Sequence, residues 1–398
     1  MAKIVTDKNK ITELFGRQVA AVFPSRERAE EILGAGKQLT FYLGIDPTGP
    51  DIHLGHTINL LVLKKLAGLG HKIILLIGDF TAQTGDPTDK DATRRTLTAE
   101  EVKTNTKTYL KQVTKILPKG SFTVRYNSQW LGKLTFDEVR KLTRRITVQQ
   151  TITRDMFQKR LADNKPITVE EFLYPLMQGY DSVAMAVDGE IGGTDQTFNM
   201  LMGRDLVKNI LGKEKIVIAT KLLEDPQTKK KLMNKSEGRY ISLNDSPPEM
   251  FGKTMALPDN AILPVFSYVT ELPDPRIAEI ERRLNDGENP KTLKEELAYE
   301  LVKIYHGEKA AGQAQAEFKK VFSEGQLPSA LAEFKISNGS MSIVTLLEKW
   351  LKISASEAKR LIDQNGVKVN DQVVSGWDRE IKPGDVVKAG PRRFVRVV

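Results

Sequence analysis

The 398-residue chain contains no cysteine, which excludes disulfides, thiolate-held metals and a cysteine nucleophile, and gives no sign of an oxidising compartment. It has only four histidines (His53, His56, His71 and His306), and on the helix that begins at His53 and His56 no carboxylate or third histidine stands at metal-ligand spacing, which argues against zinc. Long apolar runs are missing too. The longest, near residues 73–77, is far shorter than the ~20 residues needed to cross a bilayer. Residues 1–8 lack the apolar stretch of a secretory leader, so a cytoplasmic protein without a membrane anchor is expected. Internal repeats and low-complexity tracts are absent. So is a complete phosphate loop of the Walker type, because Gly34-Ala35-Gly36-Lys37 lacks the upstream glycine and the following Ser or Thr.

What is present suits a soluble protein of two or three domains, with 40% hydrophobic residues to build ordinary cores. Sixty Lys and Arg against 51 Asp and Glu give a formal charge of +9, which points to a polyanionic partner. Residues 1–35 read as an amphipathic helix carrying Ile11, Leu14, Phe15, Val19 and Val22, then a short helix over 25–33. The apolar runs 41–45 and 72–77 read as strands buried on both faces, each followed by a polar loop. A helix over 99–117 and a short strand over 122–126 continue the alternation, which predicts a parallel sheet with ligands at the carboxyl ends of its strands. A helix over 169–187, a tight glycine-rich turn over 188–196, a helix over 197–206 and a strand over 215–220 follow. The expected domains are a Rossmann-like parallel-sheet catalytic domain over 1–240, an α-helical domain over 245–325, a linker over 326–340, and a small α+β module over 341–398. That module carries eleven Lys or Arg against seven Asp or Glu, close to half of the excess charge in a seventh of the chain.

The stretch 39–66 organises the rest. Apolar residues Ile58, Leu61, Val62 and Leu66 recur at helical spacing after His56, so His53 and His56 sit three apart where a helix begins, beside amides with no partner inside the helix. Such a place favours phosphate. About 180 residues later comes a lysine-rich segment over 228–239. A lysine run alone is usually a solvated loop, but paired with His53-Leu-Gly-His56 after a strand it can close on a polyphosphate. A third constellation is Tyr174, Gln178 and Asp181, spaced so that one helix face carries a phenol, an amide and a carboxylate where apolar residues would be ordinary. Tyr42, Asp86 and the segment Thr194-Asp195-Gln196 face the same sheet edge.

His53-Leu-Gly-His56 and Leu232-Met233-Asn234-Lys235-Ser236 resemble the two signature motifs of class I aminoacyl-tRNA synthetases. With the third constellation the whole chain resembles the tyrosyl members of bacterial type, and residues 356–370 resemble the S4 RNA-binding fold. The resemblance implies ATP as substrate, Mg²⁺ arriving with it and no protein-bound metal, together with tyrosine, tRNA(Tyr) and a homodimer. It implies that Tyr42 and Asp181 bind the substrate phenol, that Asp86, Tyr174 and Gln178 hold its ammonium group, and that Gln196 lies near its carboxylate. Asp46, Gly55, Asp195, Met233 and Lys235 would contact ATP, with Asp195 on the ribose, while Thr48, His53 and His56 face the phosphates. Lys90 and Arg94 match a loop that grips pyrophosphate; Lys359, Arg360 and Lys368 would contact RNA. The chain departs from the family in two places. Leu232 and Asn234 replace the first Lys and first Ser of the second motif, leaving open whether Lys231 does that lysine's work, and Glu190 stands where many members have glutamine. A tryptophanyl enzyme is disfavoured because indole offers a single donor. A non-catalytic RNA-binding or splicing protein is disfavoured by His53, His56 and Lys235.

Overall fold

The computed structural model describes residues 3–86, 97–234, 238, 240–323, 331–336, 339–390 and 393–398. Six strands, β1 (Val19–Phe23), β2 (Thr40–Ile45), β3 (Lys72–Ile77), β4 (Thr123–Tyr126), β5 (Gly189–Gly193) and β6 (Ile216–Thr220), form one sheet in the order β1-β6-β5-β2-β3-β4. All neighbours are parallel except β1 against β6. The chain leaves β2 toward β3 and β4, then returns on the other side through β5 and β6. The order therefore reverses between β2 and β5, and a crevice opens at their carboxyl ends. Tyr42 on β2 lies in register with Glu190 on β5.

Phe41, Leu75, Ile77 and Ile218 are buried, as the apolar runs predict for strands covered on both faces. The helix Leu54–Gly68 packs Leu54, Ile58, Leu61, Val62 and Leu66 into the same core. Two local expectations are corrected. Val19 and Val22 do not continue the first helix, which ends at Leu14; they lie in β1, paired with Thr220 and Ile218. The β-branched residues beyond Gly16 fit a pleated edge better than a helix. Residues 189–193 are not a turn but a fully buried strand. Their glycines answer crowding: a Cβ on Gly189 would lie 2.3 Å from the Phe41 ring, and one on Gly192 2.8 Å from the Met200 sulfur. The turn is confined to the 3₁₀ segment Thr194–Gln196.

Beyond residue 246 the chain is helical (Pro247–Met255, Ile262–Val269, Asp274–Asn285, Pro290–His306, Glu308–Phe318). The first two of these helices escape the periodicity reading because proline begins one and apolar residues surround the other. Val265, Leu297 and Leu301 of these helices share one continuous core with the sheet. Arg17 fixes the junction: its guanidinium donates to the carbonyls of Ser267 (2.5 Å), Thr270 (3.2 Å) and Leu272 (2.5 Å) and pairs with Asp274.

The last module has its own core, including Ile343, Leu346, Ile362, Val387 and Val395. Helices Ile343–Leu351 and Ala355–Asp363 accompany a sheet built from Val367–Val369, Gln372–Val373, Val386–Ala389 and Arg393–Val397. Within the stretch read as a linker, Ala332–Phe334 instead adds a parallel strand to Arg393–Val397.

Candidate active site

His53 caps the helix Leu54–Gly68, its Nδ1 accepting from the Gly55 amide (3.2 Å), while His56 Nδ1 accepts from the His53 amide (3.2 Å). The rings stack 3.8 Å apart. Gly55 permits this closeness, since a Cβ there would lie 3.1 Å from the His53 ring. The remaining first-turn amides are also used, Leu54 N–H on the Ile241 carbonyl and His56 N–H on that of His53. This corrects the picture of an open cradle of unpaired amides: short imidazole side chains reach their own backbone and close the box. With each Nδ1 accepting, the network assigns the ring proton to Nε2, so the helix start offers imidazole N–H donors in place of amides.

On the other side of β2 is a buried polar chamber. The Asp181 carboxylate, 2% exposed, accepts from Trp130 Nε1 (2.7 Å) and Asn127 Nδ2 (3.3 Å). Burial pushes its carboxyl well above the ordinary range, and these two donors oppose the shift. The Tyr42 hydroxyl meets Ser182 Oγ at 2.9 Å, one residue along the helix Val169–Ala184. Burial, then the charges of Glu190 and Asp181, push the Tyr42 phenol well up and hold it neutral. Gln178 Nε2 donates to Glu190 Oε1 (3.0 Å), and Gln178 Oε1 accepts from Asn199 (2.9 Å). Asn199 also donates to Gln196 (3.1 Å), whose Nε2 donates to Asp86 (2.6 Å). Lys215 is fully buried and paired with Glu190.

The spacing of Tyr174, Gln178 and Asp181 thus does bring a phenol, an amide and a carboxylate into one chamber with Tyr42, Asp86 and Gln196. Tyr174 donates to Asp46 Oδ2 (2.8 Å), and Thr81 donates to Asp46 Oδ1 (2.8 Å), so Asp46 braces the chamber's wall. Thr48 follows at the end of β2, its amide on the Asp46 carbonyl (2.8 Å). Lys231 reaches Asp195 at 2.9 Å, while Leu232 packs against the core and Met233 is buried, its sulfur accepting from the Ile241 amide. Lys90, Arg94 and Lys235 lie outside the described residues. Sequence reasoning missed Asn127, Trp130, Ser182, Asn199 and Lys215. The one available signal was a lysine opening an otherwise apolar strand.

In the last module, Lys359 lies 4.6 Å from the ring centroid of Trp377, which is 46% exposed, and Arg360 follows on the same helix. Lys368 is in register with Lys388, whose ammonium is 5.0 Å from the Phe394 ring centroid. Cations beside aromatic faces suit a nucleic-acid surface.

A doubly wound sheet with donors at the helix start beyond β2, and a polar chamber across the switch point, is the layout of a nucleotide-using α/β enzyme. The comparisons with known proteins place it: the chain belongs to the family described as tRNA synthetases class I (W and Y), whose model matches residues 35–323, and an S4 domain matches residues 341–387. Within that family its relatives include tyrosine–tRNA ligases. The one from Carboxydothermus hydrogenoformans is 44% identical over 407 residues, covering 99% of each chain. That from Moorella thermoacetica is 43% identical, covering 96% of this chain and 94% of the relative. The fold agrees with that of a C-terminally truncated Aspergillus nidulans mitochondrial tyrosyl-tRNA synthetase (TM-score 0.65, 24% identity, 79% of this chain and 94% of the other). It also agrees with an Archaeoglobus fulgidus tyrosyl-tRNA synthetase complexed with L-tyrosine (TM-score 0.61, 23% identity, 78% and 99%).

Proposed function

We infer that this chain is a tyrosine–tRNA ligase that joins tyrosine to ATP as tyrosyl-adenylate, releasing pyrophosphate, and then passes tyrosine to the 3′ end of tRNA(Tyr). The observation that carries the reading is that a phenol and a carboxylate, Tyr42 and Asp181, are buried in neighbouring hydrogen-bond networks, with Tyr42 on the same β2 that leads to His53 and His56. Tyr42 and Asp181 hold the substrate phenol; a side chain without that hydroxyl forfeits the further hydrogen bond each makes to it, at about 1–3 kcal/mol for each. Asp86, Tyr174 and Gln178 receive the ammonium group, Gln196 lies beside the carboxylate, and Asp195 receives the ribose. Asp46 and Gly55 line the nucleotide's path, whereas the Met233 side chain, expected there too, is buried in the core.

The chemistry needs no enzyme nucleophile and no general base, because the substrate carboxylate is already ionised. Its oxygen attacks the α-phosphorus as the bond to pyrophosphate breaks, so catalysis lies in alignment and in stabilising charge on the phosphates. His53 and His56 supply Nε2–H donors, Thr48 a hydroxyl, and Lys231, Lys235, Lys90 and Arg94 positive charge. Mg²⁺ enters with ATP as its counter-ion; among the described residues no three His, Asp or Glu side chains stand grouped to hold a metal. The helical domain reads the anticodon, and the S4 module grips tRNA through Lys359, Arg360 and Lys368. The enzyme works as a cytoplasmic homodimer. Phe136, Val148 and Val169, exposed by 85%, 66% and 78%, are apolar side chains that a second copy would cover. Among the described residues no helix is long and apolar enough to cross a membrane.

ATP–pyrophosphate exchange with each of the twenty amino acids tests the reading. Exchange is expected with tyrosine alone; exchange driven by tryptophan, or by no amino acid, would overturn it.

A further inference from the structure

Lys215 is a lysine with no exposed surface, set at the foot of β6 beneath the tyrosine chamber, and nothing in the adenylation chemistry above uses it. Its three ammonium protons are all committed: to Glu190 Oε2, to Ser182 Oγ at 2.7 Å and to the Met200 carbonyl at 3.3 Å. The fold makes room for it. A Cβ on Gly203 would lie 2.6 Å from the ammonium nitrogen and 2.9 Å from Ser182 Oγ, and Gly179 on the facing helix would bring a Cβ to 3.2 Å from the Gly203 amide. Two glycines thus hold the helices Val169–Ala184 and Thr197–Leu211 close enough to frame a slot for one charged group. Buried ion pairs are poor stabilisers, because desolvation offsets their attraction, so the pair invites a reading other than stability.

That reading comes from counting protons. Ser182 has one hydroxyl proton and already accepts from Lys215. Its proton can go to the Tyr42 oxygen at 2.9 Å or to Glu190 Oε2 at 3.5 Å. The second is at the limit of a hydrogen bond, onto an oxygen the ammonium already occupies. Ser182 therefore donates to Tyr42, whose own proton has Glu190 as its nearby protein acceptor; with Glu190 Oε2 engaged by Lys215 and Oε1 by Gln178, that proton is released toward the substrate side. Glu190 acts the same way on the other arm. As an acceptor only, it takes the Gln178 amide N–H₂ at 3.0 Å and turns the Gln178 carbonyl away from itself.

We propose that Lys215, paired with Glu190, is a positioning residue for amino-acid specificity: through Ser182 it fixes Tyr42 as a hydrogen-bond donor toward the substrate's phenolic oxygen. Tyrosine supplies that acceptor and its own proton goes to Asp181; phenylalanine supplies neither. The proposal rests on the assignment of Tyr42 to the phenol made above.

ATP–pyrophosphate exchange with tyrosine and with phenylalanine, run on Lys215→Met, Tyr42→Phe and the double variant, tests it. Lys215→Met is expected to lower the tyrosine-over-phenylalanine ratio of kcat/KM about tenfold, the value of one well-made hydrogen bond, through the KM for tyrosine and with the KM for ATP unchanged. Tyr42→Phe lowers the ratio at least as far. In the Tyr42→Phe background Lys215→Met changes it by less than about twofold, because the two act in one chain. Should Lys215→Met fail to fold by circular dichroism, Glu190→Gln/Lys215→Met, which removes both charges, carries the same measurements and the same expectation. A wild-type ratio in the folded Lys215 variant, or a Lys215 effect that persists in full without the Tyr42 hydroxyl, overturns the relay. If Tyr42→Phe leaves the ratio unchanged, the phenol assignment falls, and the relay with it.

Discussion

The two ends of the site are built on opposite principles. At the end proposed to hold tyrosine, Tyr42, Asp181, Glu190 and Lys215 are buried to 2% exposure or less and joined through Ser182, Asn127 and Gln178 into networks that exist before any substrate arrives. At the end proposed to face the phosphates, the side chain of Lys231 is 45% exposed, and the imidazoles cap their own helix. The difference teaches what each end must do. Telling one amino acid from another needs donors and acceptors that cannot relax around the wrong side chain, and burial supplies that rigidity. Stabilising a transient charge on phosphate needs donors aimed where that charge develops; the capping imidazoles are fixed in that way, and the partly exposed Lys231 adds positive charge from a longer side chain.

Substitutions at the two ends should therefore fail in different ways. His56→Ala is expected to have the largest effect, lowering kcat for activation roughly a hundredfold or more, as loss of a transition-state donor does, with little change in the KM for tyrosine; steady-state exchange kinetics resolve the two. Asp181→Ala should lower kcat/KM for tyrosine by about a hundredfold while the KM for ATP holds. Equal losses for both substrates would erase the contrast. Lys231→Met, which cuts the contact to Asp195 and removes a charge near the phosphates, should cost about tenfold in kcat in single-turnover activation. The smallest effect concerns stability. Burial raises the Asp181 carboxyl above its unfolded value, so the group favours the fold when protonated and that contribution is lost as pH rises through the window above the ordinary carboxylate range. Asp181→Asn should consequently melt higher than the wild type near neutral pH, by a few degrees, with the gap closing as pH falls toward 4 in thermal scans.

How far the sequence carries depends on the range of the interactions. Strands β2 and β3 and the helix after His56 are legible because their apolar residues repeat within a few positions. The face shared by Tyr174, Gln178 and Asp181 is legible for the same reason, since helical spacing is local. The partners of that face are not. Trp130 and Asn127 reach Asp181 from more than fifty residues away, and Lys215 reaches Glu190 only because β6 lies beside β5. Gly189 and Gly192 mislead in the other direction: glycine signals a turn unless one knows that Phe41 and Met200 press on the strand. The histidine pair reads as a site for anions from its place at a helix start, and the source of its donors changes once Nδ1 of each ring is seen to satisfy the backbone.

Arg17 bears on how the molecule handles a long nucleic acid. One guanidinium gathers three carbonyls where the second helical layer begins, and the apolar interior runs unbroken from the sheet into those helices. The helical layer and the sheet are therefore packed on one shared core. On the proposed function, a tRNA with its anticodon on those helices and its 3′ end over the sheet meets two contact regions whose spacing is set by that core.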